Sequence, residues 1–162
     1  MLSMFKPSIY IQISPELLTL RNVKTGEAIS EVPEVAISPG PKERILAIGN
    51  QARAAVAATP GALLVNPFAH PRSLVSDFTV AEQLVKAFLR RAVGSSLFAA
   101  SPVVVMHPLG NPAGGFTQVE NRAFREMALG AGASQAIVWQ GGPLTDDQIL
   151  SRRFPATGVC AE

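Results

Sequence analysis

The residue types that most often carry out catalysis are sparse in this sequence. The chain has two histidines, His70 and His107, and one cysteine, Cys160. Neither histidine has a cysteine, histidine or carboxylate at the spacing of metal ligands, so no metal site is predicted. Cys160 lies two residues from the last residue, cannot form an intrachain disulfide and belongs to no nucleophile motif. We therefore expect no catalytic residue among these three.

Two glycine-rich segments could allow an anion to approach the backbone. Residues 110–115 (GNPAGG) precede a predicted helix, and helix N-termini bind anions. No Gly-Lys-Ser or Gly-Lys-Thr follows, so the segment does not match a P-loop and is interpreted as a strand-to-helix connection. Gly141 and Gly142 are interpreted as a tight turn.

The composition predicts one folded domain. Hydrophobic residues make up 48% of the 162 residues, charged residues 16%, and the formal net charge is +2. Lysines and arginines are scattered without a basic stripe, which argues against a nucleic acid partner. No apolar run approaches the roughly 18 residues that span a bilayer, and the first residues do not resemble a secretory signal. We therefore expect a cytoplasmic protein.

Short strands are predicted first, and strands alternate with helices later. Runs rich in apolar and β-branched residues predict early strands at 8–13, 16–23, 28–30, 34–38, 43–48 and 62–65. Continuous apolar runs at 103–106 and 136–139 are typical of strands covered on both faces. This order predicts an α/β fold whose mixed sheet has antiparallel early strands and parallel later βαβ units.

Three helices are predicted between these strands. The first is rich in alanine and has Asn50 as its cap. The second begins at a capping box of Thr79 and Glu82, and the third begins at the same arrangement of Thr117 and Glu120. The predicted buried side of the third helix consists of small and apolar residues: Val119, Ala123, Phe124, Met127 and Ala128.

The third predicted helix also carries a long and specific pattern. Residues 117–133 read TQVENRAFREMALGAGA, which resembles the corresponding helix of the MreB family of bacterial actin homologues. The likeness runs from about residue 8 to about residue 155 and includes three shorter upstream matches, at 34–37, 59–61 and 77–78. It implies a ribonuclease H-like, actin-like subdomain as a single domain over residues 1–162, with the second lobe of the family absent.

The resemblance implies a nucleotide site, and this sequence departs from the family's pattern there. The family's first strand carries an Asp followed by Gly-Thr, which organise the metal and let backbone amides reach the phosphates. The matching positions are Gln12, Ser14 and Pro15. Glutamine lacks the anionic charge that a hard cation favours, and proline has no amide proton to donate.

Two further parts of the implied site are also altered. The family's Glu-Glu-Pro segment corresponds to QGGP at residues 140–143, where Gly141 and Gly142 bring no carboxylate. The family's second phosphate loop would fall beyond Glu162. Because phosphoryl transfer depends on positioning and charge neutralisation, we expect no nucleotide, no other cofactor and no ATP hydrolysis by this chain.

An enzymatic alternative follows from the implied fold. A ribonuclease H-like fold can host a metal-dependent nuclease or a small-molecule kinase, and a nuclease needs clustered carboxylates on the central strands. The strands SIYIQI, VVVM and AIVW contain none. A second alternative is an ATP-binding actin-like protein that completes its site by oligomerisation, and a third is a degenerate family member with little function.

Leu97 and Phe98 form an apolar pair amid small residues, after a predicted helix that ends in Arg90 and Arg91. In the MreB family a loop at this place carries two hydrophobic residues that insert into the inner leaflet. The resemblance implies membrane contact by Leu97 and Phe98, with the arginines near anionic headgroups. The alternative is that both side chains fold back onto the domain.

Loss of a second lobe would expose surface that the complete fold buries, and such a patch is expected to be covered. The apolar residues that could cover it lie near the end of the sequence: Leu144, Ile149, Leu150 and Phe154. Otherwise a second copy or a full-length actin homologue would cover it. The sequence therefore predicts an interaction module in cell-shape or cytoskeletal machinery, as a homo-oligomer or bound to such a homologue, in the cytoplasm or at the inner membrane surface.

Overall fold

A six-stranded sheet forms the centre of the molecule. The computed structural model describes residues 6–94, 100–110 and 115–162. The first strand, β1 (Ser8–Ile13), lies in the middle of the sheet. β2 (Leu18–Asn22) is antiparallel to β1, and β3 (Ala28–Glu31) is antiparallel to β2. The β-branched run at the start of the sequence thus forms the strand that was predicted for it.

The later strands extend the sheet on the other side of β1. β7 (Val103–Pro108) is parallel to β1, and β8 (Gln135–Gln140) is parallel to β7. β9 (Val159–Ala161) is antiparallel to β8, which gives the order β3-β2-β1-β7-β8-β9. The mixed sheet with antiparallel early and parallel later strands is confirmed.

A second, three-stranded sheet separates from the first. It is antiparallel, has the order β5-β4-β6 and consists of β4 (Val35–Ile37), β5 (Ile45–Ile48) and β6 (Leu63–Val65). Helix α1 (Ala52–Ala58) packs against it. The prediction of Asn50 as the helix cap was wrong, because Asn50 lies in a 3-10 turn and its side chain accepts a hydrogen bond from the Val32 amide.

Two helices cover one face of the six-stranded sheet, which we call the helix face. α2 (Phe78–Val93) begins at Asp77, whose side chain accepts from the Val80 amide, so the predicted Thr79 cap was wrong. α3 (Gln118–Gly130) begins at Thr117 with the predicted capping box. One residue assigned to its buried side, Val119, is instead 78% exposed, because it lies in the first turn on the solvent side.

The opposite face of the sheet, which we call the tail face, is covered by residues 143–158. This segment contains a short helix, α4 (Asp146–Ser151), and leads into β9; the sequence had predicted neither element. Leu144 and Ile149 are buried against the sheet and Phe154 packs at its edge, whereas Leu150 is exposed. The tail therefore covers the sheet with three of its four predicted apolar residues.

Candidate functional site at the carboxyl edge of the sheet

The carboxyl ends of the parallel strands β1, β7 and β8 meet at one edge of the sheet. In open α/β sheets, ligands bind at such an edge. In the register of β1 and β7, Gln12 lies opposite His107 and Ile13 lies opposite Pro108. Gly141 follows β8 at the same edge, and His107 donates to its carbonyl oxygen. The fold thus brings Gln12, His107 and Gly141 together, and we call this region the carboxyl edge.

Ser14 and Pro15 lie in a tight turn between β1 and β2. The Ser14 amide donates to the Leu17 carbonyl oxygen at 2.9 Å. The Leu17 amide donates to Ser14 Oγ at 3.1 Å, and Ser14 Oγ also contacts the Leu17 carbonyl oxygen at 3.2 Å. The backbone donors of Ser14 and Leu17 therefore bond within the turn instead of pointing toward a ligand.

The middle of this turn is unfavourable for a phosphate. Pro15 has no amide hydrogen, and its carbonyl oxygen accepts from Asn66 Nδ2 at 2.8 Å, which ties the turn to the segment after β6. Glu16 adds an exposed carboxylate to the same turn. A phosphate placed here would meet a like charge, and the Ser14 and Leu17 amides are already bonded within the turn.

A buried polar chain runs across the carboxyl edge. His107 is 1% exposed, and its Nε2 donates to the Gly141 carbonyl oxygen at 2.9 Å. In a neutral imidazole the other nitrogen is then an acceptor, so the Tyr10 hydroxyl donates to His107 Nδ1 at 2.5 Å. The Leu144 amide in turn donates to the Tyr10 oxygen at 3.2 Å. Each side-chain polar atom of this hydrogen-bonded series has a partner, and the hydrogen bonds fix one tautomer of His107.

Burial sets the ionisation of both side chains in this chain. Desolvation lowers the pKa of His107, and the hydrogen bond to Gly141 opposes that shift only in part. Desolvation also raises the pKa of Tyr10, against the effect of the Leu144 amide and the nearby Arg21 guanidinium. At neutral pH both groups are uncharged, and they hold the tail instead of offering charge to a ligand.

Two cavities adjoin the ends of β7 and β8. The smaller, about 260 Å³, is lined by His107, Pro108, Leu109, Gly110, Phe116, Gln140 and Gly141. None of these described lining residues is a carboxylate. The larger, about 580 Å³, lies between α3 and β9 and includes Arg122, Arg125, Glu126 and Glu162. The described lining of the smaller cavity contains no Asp, Glu, Lys or Arg, whereas the larger presents charges of both signs.

The other predicted site residues fall into two groups. Gly141 and Gly142 form the predicted turn after β8, and their carbonyl oxygens accept from His107 Nε2 and from Trp139 Nε1. Leu97 and Phe98 lie outside the described residues.

In the described residues no three His, Cys, Asp or Glu side chains are close enough to hold a metal ion. No helix of that same part is long and apolar enough to cross a bilayer.

The arginines assigned to headgroups are not equivalent. Both arginines are exposed at the end of α2, but Arg91 also forms an ion pair with Glu31 and lies over the Phe88 ring. The sequence interpretation also missed the roles of Tyr10 and His107. The available signal was a histidine directly after a buried run, but its partner is 97 residues away and could not be identified from spacing.

Comparison with protein families matches residues 19–143 to the MreB/Mbl protein family. The chain is 32% identical to the cell shape-determining protein MreB of Escherichia coli K12 over 118 residues, which are 70% of this chain and 32% of that protein. It is 27% identical over 130 residues to the cell shape-determining protein Mbl of Bacillus cereus, covering 80% of this chain and 37% of that one. It thus spans 32% to 37% of the length of these relatives.

Solved structures share the fold. The crystal structure of MreB5 of Spiroplasma citri bound to ADP has a TM-score of 0.63 at 20% identity and covers 82% of this chain and 37% of that chain. A non-polymerising mutant of MamK bound to AMPPNP has a TM-score of 0.64 at 12% identity, with coverages of 82% and 40%. At these identities the likeness shows an actin-like α/β fold and nothing more specific.

Proposed function

Because the chain belongs to the MreB/Mbl family, we propose that it is a nucleotide-independent interaction module of the bacterial cell-shape cytoskeleton. The observation that carries this proposal is the closed turn between β1 and β2. The Ser14 amide donates to the Leu17 carbonyl oxygen, the Leu17 amide donates to Ser14 Oγ, Pro15 has no amide hydrogen, and Glu16 adds a negative charge. The second support is Gly141, whose carbonyl oxygen is taken by the neutral His107.

Binding of nucleotide is the direct test. Isothermal titration of the whole chain with ATP and magnesium is expected to give no saturable heat at millimolar nucleotide, while a full-length MreB titrated alongside binds. Thermal unfolding with and without nucleotide checks the result independently, because a ligand that binds only the folded state raises the melting temperature. Saturable binding would overturn nucleotide independence and favour a site completed across an oligomer.

The proposed partners are a second copy of the chain or a full-length actin homologue of the same family. Co-sedimentation with assembled MreB filaments measures the second association. We expect the chain to pellet with filaments formed in ATP and to remain in the supernatant when MreB is kept unassembled or absent. A chain that stays in the supernatant with filaments and is also monomeric would contradict the role of interaction module.

We also infer a weak peripheral contact with membrane through Leu97 and Phe98. The exposed Arg90 and the absence of charge from residues 94–101 support it. Vesicles containing phosphatidylglycerol should retain the wild-type chain and lose the Leu97→Ser/Phe98→Ser variant. Leu63→Ser is the matched control, since Leu63 is 60% exposed on β6. Equal retention of the chain and the double variant would refute the contact.

A further inference from the structure

We propose that β9 is the edge through which two copies of this chain pair, antiparallel and about a twofold axis, so that their six-stranded sheets become continuous. The inference deepens the proposed function, on which it rests, by naming one partner and one surface. It follows from the edge itself, from the charges beside it and from the register of β9.

The two outer strands of the six-stranded sheet differ in how they are protected. A free edge presents unpaired amides and carbonyls to other strands, and proteins commonly block such edges with charge. β3 carries Glu31, which is paired with Arg91, and Glu27 directly precedes the strand. β9 consists of Val159, Cys160 and Ala161, has no charged residue within the strand although Glu162 follows it, and leaves Val159 60% exposed. β9 is therefore the outer strand without a charge inside it.

β9 lies after the part of the chain that matches the MreB/Mbl family. The match to the MreB/Mbl family ends at residue 143, before α4 and β9. β9 pairs with β8 through Val138, Trp139 and Gln140, so it covers the edge that β8 would otherwise present.

The charges beside β9 fit a second copy of the same surface. The groove of about 580 Å³ between β9 and α3 carries two arginines and two glutamates: Arg122, Arg125, Glu126 and Glu162. A twofold interface places each residue opposite a different residue of the identical surface, so balanced charges are self-complementary. A nucleic acid or a strongly acidic peptide would require one sign.

The register makes the pairing measurable through Cys160. Because Trp139 lies opposite Cys160 in the pairing of β8 and β9, the thiol is on the tail face, while Val159 and Ala161 are on the helix face. An axis through the middle residue of β9 puts the two Cys160 residues opposite each other. Their Cα atoms would then be about 4.5 to 5.5 Å apart. That separation is within the range of about 4.4 to 6.8 Å seen in disulfides.

The experiment combines mass and crosslinking on the whole chain. Size-exclusion chromatography with light scattering should give twice the 17.1 kDa chain mass under reducing conditions. The thiol oxidant diamide, which is a diazene, should then join the two copies by a disulfide between their Cys160 residues. The two thiols lose two protons and two electrons, and diamide is reduced to the corresponding hydrazine. Cys160→Ser should remain a dimer without crosslinking.

The Val159→Lys variant distinguishes a disulfide formed within the paired dimer from one formed by random collision of monomers. It places a charge on each edge and should give a monomer whose crosslinking by diamide is slower by about tenfold or more, which corresponds to about 1.4 kcal/mol. Val119→Lys is the matched control: this valine is 78% exposed and lies outside the groove, so its variant should dimerise as the wild type does.

A monomeric wild-type chain, or equal crosslinking of wild type and Val159→Lys, would overturn the pairing. The same samples distinguish this failure from failure of the proposed function. A monomer that still pellets with MreB filaments would refute only the β9 interface. A dimer that does not pellet with the filaments would support the β9 interface and would identify the second copy, instead of a full-length homologue, as the partner.

Discussion

The two faces of the six-stranded sheet are stabilised in different ways. The helix face is apolar and is packed by two long helices, with side chains such as Leu84, Phe88 and Phe124 fully buried. The tail face has a smaller apolar cluster and adds the polar chain from Leu144 through Tyr10 to His107. The residues of the helix face lie mostly inside the family match, whereas those covering the tail face lie mostly after it. The scaffold matched to the family thus carries, on its second face, a covering that lies after the matched part of the chain.

The largest effect is expected from the helix face. Phe124 is fully buried and stacks with Phe68 and Phe116 at centroid distances of 6.4 and 6.1 Å. Phe124→Ala should lower the free energy of unfolding by about 3–5 kcal/mol, since it removes apolar contact and leaves a cavity. Urea denaturation measures the change. Val119→Ala on the exposed side of the same helix should change stability by less than about 0.5 kcal/mol.

A similar truncation on the tail face should act locally. Ile149 is 1% exposed on α4, and Ile149→Ala should cost about 2–5 kcal/mol of the local free energy that holds the tail. Because α4 has only six residues, we expect it to open on its own, with faster hydrogen exchange in α4 and β9 and unchanged exchange in β7. Equal acceleration in β7 would show that both faces unfold as one unit.

Removal of one hydroxyl tests the polar chain. Tyr10→Phe leaves the Leu144 amide and His107 Nδ1 without their partner, and a buried unsatisfied polar group costs about 1–3 kcal/mol. Thermal unfolding of the variant should show this loss. Thr19→Val removes the exposed hydrogen bond between Thr19 and Ser30 and should leave stability nearly unchanged. A neutral effect of Tyr10→Phe would mean that apolar packing alone holds the tail.

Acid should weaken the tail face gradually. Burial lowers the pKa of His107 in the folded chain, so the unfolded chain, with a histidine pKa of about 6.5, takes up the proton first. The contribution of His107 is therefore complete above about pH 6.5 and declines as pH falls toward the lower folded pKa. Protonation would place a second donor against the Tyr10 hydroxyl, whose hydrogen would have to turn away.

Two matched variants isolate this histidine. His107→Gln should flatten the dependence of stability on pH just below pH 6.5, and His70→Gln, in an exposed loop, is the comparison variant. Glu34 contributes at more acidic pH, because its hydrogen bonds to Arg53 lower its pKa. A pH profile that is identical in the two histidine variants would contradict the role given to His107.

The sequence was informative where local pattern decides the structure. The β-branched run of β1 and the Thr117 capping box were placed correctly, because strand propensity and capping depend on neighbouring residues. Asp77 and Thr79 both fit a helix start, and spacing alone could not choose between them. The family pattern implied that Gln12 and Gly141 match parts of one site, and the fold places both at the carboxyl edge, whereas the order of the strands was not predicted.

The structure of residues 143–158 and of β9 could not be predicted from the sequence, because contacts with distant residues determine it. β9 has three residues and therefore no readable alternation. Its path depends on Gly158, where a Cβ would overlap the Trp139 ring, and on stacking of Phe154 on that ring at 5.7 Å. The closed state of the Ser14 turn likewise depends on hydrogen bonds that become apparent only once the chain is folded.

The positions of Tyr10 and Trp139 have a spectroscopic consequence. They are the single tyrosine and the single tryptophan of the chain, and both are buried on the tail face. Trp139 donates to the Gly142 carbonyl oxygen and is 1% exposed. Emission excited at the tryptophan band therefore reports the covering of one face, while far-ultraviolet circular dichroism reports mainly the helices of the other. Without any added label, the gap between the two melting curves measures how strongly the faces are coupled.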